Sequence, residues 1–514
     1  MTGDRMKRRD LLTSLAGAPL LQAAAAGQER GKRPAFPSPR RTDGGEMPNI
    51  LWVCADQQRY DTIAGLNNSY IHTPNLRRFM EQSATFTHAF VQNPVCSPSR
   101  ASFLTGRYPH TTGLRANGQR IRESEILVTR VLADAGYACG LAGKLHLSPC
   151  AGSLVENRIN DGYHQFWWSH GLPDSPPGQN MWHNWLRSQG VTWPKAPTDD
   201  PVWGVPIDPK YTQTAWCAEM AIRFMRDQAP FHPWLMSVNC FQPHEPFWPT
   251  REYLDRYDPE KMPAPAYRPG ELDSKTVYQR VDHESASGGR NLSFTKTDDR
   301  THRRITAAYY AMIEQVDHEF GRMLAALEET GQAANTVVIF MSDHGEMLGD
   351  HGIYLKGPHF YDCGMRVPLM IRWPGRFQAG LKSDALVEMV DIAPTLLEAA
   401  GIPVLPGMQG KPLTRLLRGE TSSHRDSVYM ENYDSSFLFD PPPMATSVRT
   451  RTAKLTLYHS LGSGELYDLE KDPGEFENLW SNPNARPLRE EMLLKLIDRM
   501  AGTVDPLPVR KTIF

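Results

Sequence analysis

The chain has 514 residues, of which 40% are hydrophobic, and a formal net charge of −2. This length accommodates two or three domains, or one large and one small domain, with enough apolar side chains for a substantial core. The nearly neutral balance gives no reason to expect binding to nucleic acid or another polyanion, so recognition of any anion must be local. The seven cysteines are widely spaced and form no CxxC pair, which argues against a dense disulfide framework and against structural zinc of that type.

The first 27 residues have the features of an export signal. A twin-arginine pattern at residues 7–12 (KRRDLL) precedes a short apolar stretch and a run of small residues suited to cleavage. The apolar stretch is too short for a comfortable transmembrane span, so we expect an exported protein, periplasmic or secreted, without a stable membrane anchor. The alternative is a basic tail before a short helix. Residues 28–47, rich in proline, glycine and charge, are predicted to form a linker.

Four short apolar runs predict buried strands, at residues 49–55, 137–142, 234–239 and 336–341. Each is soon followed by polar groups capable of chemistry: Asp56 and Gln57, Lys144 and His146, His244, and Asp343 and His344. Helical patterns lie between the runs, the clearest over residues 306–330. Alternating strands and helices predict an α/β fold with a largely parallel sheet flanked by helices. Such sheets bind ligands beyond the carboxyl ends of their strands, where these polar groups are expected.

Other segments have weaker patterns. Six of the twelve tryptophans fall within residues 151–206, where they either form a sugar-stacking wall or, as we favour, anchor long loops to the body. Residues 263–304 are polar and are predicted to form a surface loop. Alternating runs between residues 427 and 469, then a C-terminal helix, predict a small antiparallel sheet with a helix packed on it. We expect a catalytic domain over residues 48–405 and a C-terminal subdomain over residues 406–514.

The stretch around Cys96 carries the most specific pattern. Pro98 suits the first turn of a helix and Gly106 its end, so Cys96 is expected near a helix N-terminus, where free N–H groups favour an oxyanion. Arg100 adds a fixed cation with a forked donor face. The run CSPSR at residues 96–100, followed by LTGR at residues 104–107, resembles the signature of the type I, formylglycine-dependent sulfatases. That family has the alkaline-phosphatase-like fold, and the resemblance spans the chain from Pro48 onwards.

The resemblance implies a catalytic set built on a modified cysteine. Cys96 would be converted to formylglycine by a formylglycine-generating enzyme, with Arg100 in the signal that this enzyme reads. One hydroxyl of the hydrated aldehyde then attacks sulfur while the alcohol leaves, and loss of a proton from the second hydroxyl expels sulfate. Lys144 would balance the anion and His146 would contact the hydrate. His244 and Lys356 complete the catalytic set, and they would donate a proton to the leaving group or relieve its charge.

Carboxylates at strand ends suit a hard divalent cation. The resemblance assigns the metal to Asp56, Gln57, Asp343 and His344. Many family members have Asp-Asp after the first strand and Asp-Asn in the second segment. This chain instead has Asp-Gln at residues 56–57 and Asp-His at residues 343–344, and both variants resemble a branch containing bacterial sulfatases and phosphonate monoester hydrolases. Calcium is the favoured metal and magnesium, another hard cation, is an alternative. Manganese is also an alternative because an imidazole softens the site.

Two nearby residues, Asp350 and His351, are predicted to orient the site residues. His344 and His351 also lie seven residues apart in a glycine-rich loop, a spacing that would suit zinc, but no third ligand matches them. Taken singly, a cysteine, histidine or lysine at any of these places is more often an ordinary core or surface residue. The functional interpretation depends on their joint appearance at strand ends.

The favoured function is hydrolysis of a sulfate ester of a small molecule or saccharide. The nearest alternative is a phosphonate monoester or phosphodiester hydrolase with the same nucleophile. A noncatalytic protein that binds sulfated ligands is the alternative from another class, and it requires that Cys96 is never converted. Substrate specificity is expected to reside in the irregular segments 167–203 and 263–304.

Overall fold

An eight-stranded, mostly parallel sheet organises the described part of the chain. The computed structural model describes residues 45–150, 154–171, 179–197, 200–228, 233–286, 292–436, 439–459 and 461–509. The predicted export signal, residues 1–27, and all but the last residues of the predicted linker lie outside the described residues. Within those ranges, no helix has both the length and the apolarity needed to cross a bilayer.

The secondary structure alternates between strands and helices through the described residues from 49 to 400. The strands are β1 (Asn49–Ala55), β2 (Ala84–Phe86), β3 (Ala89–Phe90), β4 (Ala138–Gly143), β5 (Gln165–Trp168), β6 (Trp234–Asn239), β7 (Thr336–Ser342), β8 (Leu369–Arg372), β9 (Lys382–Ser383), β10 (Val387–Glu388), β11 (Val428–Tyr433), β12 (Met444–Arg449), β13 (Ala453–Tyr458) and β14 (Ser463–Asp468). The α-helices of the described residues are α1 (Pro74–Gln82), α2 (Cys96–Thr105), α3 (Pro109–Thr112), α4 (Val128–Asp134), α5 (Met181–Ser188), α6 (Gln213–Gln228), α7 (Arg251–Leu254), α8 (Val277–Glu284), α9 (Asp299–Glu329), α10 (Asp362–Met365), α11 (Ile392–Ala400), α12 (Thr414–Leu417) and α13 (Arg486–Gly502).

The main sheet has the strand order β5-β4-β6-β1-β7-β8-β2-β9. The strands from β5 to β7 run parallel, and β8 is antiparallel to both of its neighbours. β1 is central, with Ile50 opposite Leu235 of β6 and Val337 of β7. Every residue of β1 after Asn49 is buried, as expected for a strand covered on both faces. The four predicted strands are β1, β4, β6 and β7, so the predicted parallel sheet is confirmed.

The longest helix, α9, covers one face of this sheet. It begins at Asp299, seven residues before the helix that the apolar pattern predicts. The earlier start follows from Asp298, whose side chain accepts a backbone N–H of the first turn at 2.7 Å. Further along the helix, Phe320 packs between Phe79 of α1 and Phe340 of β7, with both ring centroids 5.0 Å away. The helix is therefore fixed to the sheet by aromatic packing.

The prediction of a surface loop over residues 263–304 is wrong for much of that segment. α8 forms within it, and α9 begins before it ends. The polar composition is misleading because α8 buries polar side chains that have partners. Gln279 donates to the Tyr458 hydroxyl at 3.1 Å, and Asp282 pairs with His359 at 2.7 Å.

A four-stranded antiparallel sheet, β11-β12-β13-β14, follows the main sheet. Helix α13 packs on it through the buried Met492 and Leu496, which confirms the predicted sheet and helix. The carboxylate of Asp362, on α10, joins this sheet to the main body by accepting from Arg449 at 3.1 Å and from Lys454 at 2.9 Å. Burial alone would raise the pKa of Asp362, but these two cations hold it well below its usual value.

Gly143 ends β4 in a conformation that allows the chain to turn closely against β6. Its φ is +105°, and a Cβ at this position would lie 2.0 Å from the backbone oxygen of Asn239. The same oxygen accepts the N–H of Lys144 at 3.2 Å. Only a residue without a side chain permits this approach, so Gly143 sets where Lys144 leaves the sheet.

We expect Gly143→Ala to lower the free energy of unfolding by roughly 3 kcal/mol or more, because the added Cβ meets backbone that cannot rotate away. Gly331→Ala is the matched control. Its φ is also positive, at +70°, but nothing lies within 4 Å of an added Cβ, so only backbone strain of about 1–2 kcal/mol is expected. Urea unfolding followed by tryptophan fluorescence measures both variants. Equal losses would contradict the steric role of Gly143.

Candidate active site

The carboxyl ends of three parallel strands of the main sheet meet at a buried site beside the N-terminus of α2. Asp56 follows β1, Lys144 follows β4 and Asp343 follows β7. Cys96 is the first residue of α2, and its side chain is 1% exposed. The helix ends at Gly106, whose φ of 69° is the left-handed cap that the sequence predicts.

Four potential ligand atoms cluster at the centre of this site. Asp56, Cys96, Asp343 and His344 each offer one atom, all within 4.8 Å of one another. His344 Nε2 lies 3.0 Å from Cys96 Sγ, and it lies 3.8 Å from Asp56 Oδ1 and 3.9 Å from Asp343 Oδ1. The two carboxylate oxygens and the imidazole nitrogen thus face a common point. Oxygen and imidazole donors in this arrangement can hold a divalent cation.

Two buried cations hold the carboxylates. Arg100 Nε donates to Asp343 Oδ2 at 2.8 Å, and its Nη2 lies 3.3 Å from Asp56 Oδ2. Lys144 Nζ donates to the same Asp56 oxygen at 2.5 Å. Burial alone would raise the pKa of Asp56, but the nearby charges, first that of Lys144, lower it to about 2. The Arg100 guanidinium, which the sequence suggests as an anion-binding fork, is engaged by these carboxylates and by the Lys144 backbone oxygen at 3.0 Å.

The Cys96 side chain lies in a positively charged environment. Burial alone would raise the pKa of its thiol, but the charges of Lys144, Lys356 and His344 lower it well below its usual value. A side-chain hydrogen bond with His146 acts in the same direction. The surroundings of position 96 therefore stabilise a negatively charged or electron-rich group.

His244 and Lys356 meet in a second network next to the cluster. Lys356 Nζ lies 2.7 Å from His244 Nε2 and donates to the amide oxygen of Gln57. The Gln57 amide nitrogen donates to Glu245 at 2.9 Å and to Glu346. Sequence reasoning missed both glutamates. Glu245 follows His244 directly in a strand-end segment, which is a signal that could have identified it.

Glu346 is fully buried and organises the loop after β7. One of its carboxylate oxygens accepts the backbone N–H groups of Leu348, at 3.0 Å, and of Leu355, at 2.5 Å. Burial raises the pKa of Glu346, and the charge of Glu245 adds to this effect. Because Leu355 precedes Lys356, Glu346 positions the lysine that enters the site. Nothing in the local pattern of the sequence marks this role.

His146 lies beyond β4 in a left-handed conformation, with φ of 63°. Its backbone N–H donates to Glu156 at 2.8 Å, and the same carboxylate accepts from the Trp168 indole at 2.9 Å. Burial, followed by the charge of Lys144, lowers the pKa of His146 to about 4, so its ring is neutral at pH 7. Glu156 was also missed by sequence reasoning, because it lies ten residues away in a segment without periodicity.

Asp350 and His351 do not join the cluster. His351 stacks on Tyr361 with ring centroids 3.9 Å apart, and Asp350 accepts from Arg59 at 2.7 Å. These contacts hold the loop after β7, and the prediction that the two residues orient the site residues stays a prediction. Among the described residues, His344 and His351 form no shared metal-ligand group, which removes the zinc alternative.

The tryptophans of residues 151–206 mostly pack against the body. Trp182 is 1% exposed and meets Trp193 edge-on at 5.1 Å. Trp167 packs on Phe224 with centroids 6.3 Å apart. These contacts agree with the anchoring interpretation and not with a sugar-stacking wall.

The chain matches two family models. The sulfatase model matches residues 48–402, and the model described as N-sulphoglucosamine sulphohydrolase, C-terminal, matches residues 349–501. An arylsulfatase of Clostridium perfringens is 30% identical over 491 residues, which cover 89% of this chain and 96% of the relative. A choline-sulfatase of Rhizobium meliloti is 29% identical, with 89% of this chain and 87% of the relative covered.

A solved structure has a closely similar fold. The phosphonate monoester hydrolase of Agrobacterium radiobacter superposes with a TM-score of 0.77 at 27% identity, covering 90% of this chain and 97% of the other. This similarity confirms the predicted alkaline-phosphatase-like architecture. The relatives and the family match remove the support for a noncatalytic binding protein. The chain belongs to the sulfatase family of enzymes.

Proposed function

We propose that this enzyme is a sulfuric ester hydrolase that uses formylglycine made from Cys96 and a divalent metal. One observation carries the proposal: ligand atoms of Asp56, Asp343 and His344 lie within 4.8 Å of Cys96 Sγ in a buried site. Export by the N-terminal signal and maturation by a formylglycine-generating enzyme are part of the same proposal. The substrate is a sulfated small molecule or saccharide.

The residues of the cluster fit a divalent cation. Lys144 and Arg100 engage the Oδ2 atoms of Asp56 and Asp343, while the Oδ1 atoms face His344. Two carboxylate oxygens and one imidazole favour calcium, with manganese or magnesium as alternatives. Gln57 would join this set of ligands if its amide oxygen bound the metal in place of its present hydrogen-bond donor, Lys356.

The chain's own side chains would divide the remaining tasks. When present, the metal polarises a sulfuryl oxygen and the formylglycine hydrate supplies the attacking hydroxyl. Lys144 and Lys356, whose charges both reach position 96, would stabilise the other sulfuryl oxygens. His244 lies against Lys356 Nζ, so this pair is suited to protonate the leaving oxygen. His146 is neutral and hydrogen-bonded to position 96, so its imidazole is suited to accept the proton of the second hydroxyl.

Phosphonate monoester or phosphodiester hydrolysis with the same nucleophile is the second candidate. It is favoured by the fold similarity to a phosphonate monoester hydrolase. The Asp-Gln and Asp-His pairs after β1 and β7 support it as well. Both reactions place an anionic tetrahedral centre in the same charge environment. The charges of the site therefore do not distinguish the two reactions, and a comparison of substrates is needed.

We expect mass spectrometry of the Cys96 peptide to show an aldehyde in place of the thiol when the full chain is co-produced with a formylglycine-generating enzyme. Cys96→Ser should lower kcat for an aryl sulfate by roughly 10³-fold or more, because a serine adduct has no second hydroxyl to expel sulfate. Cys363→Ser changes another buried thiol and should leave conversion and kcat unchanged. An intact Cys96 thiol after co-production, or a fully active Cys96→Ser enzyme, would overturn the formylglycine mechanism.

The metal assignment predicts the loss of bound metal in two variants. After dialysis against calcium alone, His344→Ala and Asp343→Asn should reduce the bound calcium, measured by elemental mass spectrometry, from about one ion per chain to near zero. His344→Ala leaves Arg100 paired with its carboxylates, so it separates metal loss from destabilisation. Asp161→Asn, at a buried carboxylate paired with Arg158 at 2.6 Å, is the control and should retain the metal. Full metal content in both site variants would refute the assignment.

Paired aryl substrates distinguish the two candidate reactions. We expect kcat/KM for the aryl sulfate to exceed that for the matched aryl phosphonate monoester at least tenfold, a difference of about 1.4 kcal/mol in transition-state stabilisation. Release of inorganic sulfate, measured by ion chromatography, confirms which bond breaks. The opposite preference would make phosphonate hydrolysis the main activity. Choline sulfate and sulfated monosaccharides in the same assay then rank the substrate classes.

A further inference from the structure

A second group of metal-ligating side chains lies next to the active site. His146, Cys150 and His170 each offer one ligand atom, and these atoms lie within 4.8 Å of one another. His146 and Cys150 follow β4, and His170 follows β5, which is the parallel neighbour of β4. The fold thus brings the three side chains together by the same strand-end geometry that builds the active site.

Two nitrogens in this group are buried and unpartnered. His146 Nδ1 and His170 Nε2 have no hydrogen-bond partner among the described residues. The two rings approach each other edge-on, with centroids 4.8 Å apart. A buried polar atom without a partner costs about 1–3 kcal/mol, and a protein rarely retains two of them side by side without a ligand.

Both imidazoles are in the protonation state that binds metal. Burial, followed by the charge of Lys144, lowers the pKa of His146 to about 4. Burial, followed by the charge of His146, lowers the pKa of His170 well below its usual value. Burial raises the pKa of the Cys150 thiol, but a coordinating metal displaces the proton of a thiol.

The donor types differ from those of the cluster around Asp56. Two imidazoles and a thiolate suit zinc and related transition metals, whereas carboxylate oxygens suit calcium and magnesium. Three protein ligands leave a fourth tetrahedral position for water. Zinc bonds of about 2.0–2.3 Å require the three ligand atoms to close to less than roughly 4 Å, a small movement of side chains.

We propose that His146, Cys150 and His170 form a second metal site, selective for zinc or a similar divalent transition metal, and that its occupation inhibits the enzyme. On binding, the Cys150 S–H bond breaks, its proton passes to solvent, and one sulfur–metal and two nitrogen–metal bonds form without any change of oxidation state. The metal holds His146 through Nδ1 and so withdraws it from proton transfer at position 96. The inhibitory effect rests on the proposed function of His146, whereas metal binding does not.

Cobalt(II) spectroscopy tests the site without reference to activity. The full chain carrying Cys96→Ala, which removes the thiol of the first cluster, is titrated with Co²⁺ in saturating Ca²⁺. We expect a near-ultraviolet thiolate-to-cobalt charge-transfer band that saturates at one equivalent and is displaced by Zn²⁺. Adding Cys150→Ser should abolish the band, and His170→Gln should weaken Co²⁺ binding at least tenfold. Cys363→Ser, at a cysteine of nearly the same exposure, 8% against 7%, should retain the band.

The converted enzyme tests the inhibitory effect. With Ca²⁺ saturating, Zn²⁺ should inhibit aryl sulfate hydrolysis, and Cys150→Ser should raise the inhibitory concentration at least tenfold while Cys363→Ser should not. Absence of the band, or its persistence in Cys150→Ser, overturns the site. A normal band with no Zn²⁺ inhibition overturns the inhibitory role alone. If the proposed function itself is wrong, the enzyme releases no sulfate even without zinc, and this result differs from both outcomes above.

Discussion

The pairing of two buried carboxylates with two buried cations is the constraint on which the site depends. Asp56 and Asp343 are fully buried, and isolated charges in such positions cost several kcal/mol each. Arg100 lies within hydrogen-bond distance of both carboxylates, and Lys144 completes the pairing at Asp56. Because Arg100 is one helical turn beyond Cys96, the same ion pairs fix the start of α2 against β1 and β7. Position 96 is thus held by ion pairs that the local sequence alone does not reveal.

The parts of the fold that the sequence predicts well are those with local causes. β1 is a nearly unbroken apolar run followed by Asp56, and α2 has Pro98 in its first turn and Gly106 at its end, two residues whose backbone preferences are intrinsic. The strand-end rule then places Asp56 and Asp343 near each other without any knowledge of their contacts. The antiparallel C-terminal sheet is predictable for a similar reason, since its strand-like runs lie close together in the sequence, with three residues between β12 and β13 and four between β13 and β14.

The residues that the sequence does not predict act through distant partners. Glu156 fixes the backbone at His146 from a segment without periodicity, and Glu346 holds the loop that carries Lys356 through backbone N–H groups. α8 was missed for a related reason: its buried polar side chains resemble a loop in composition until their partners are known. Side chains that position other groups are therefore harder to find than those at the ends of strands, because tertiary contact defines them.

The charge of the centre connects these observations to function. Two carboxylates and two cations cancel, so the paired core of the site is neutral in a chain whose net charge is only −2. A divalent metal at the Asp56 cluster, as proposed above, would add two positive charges in a buried site, where screening is weak. The attraction for an anionic ester would then depend on which metal is bound and on which residues bind it. Cys150 and His170 are grouped with His146, the histidine beside position 96. Their thiolate and imidazole donors would bind a transition metal on the far side of the His146 ring, where the metal could not polarise the ester. If both proposed sites bind metal, sorting of metals by ligand type would be the physical basis on which the enzyme distinguishes an activating ion from an inhibiting one.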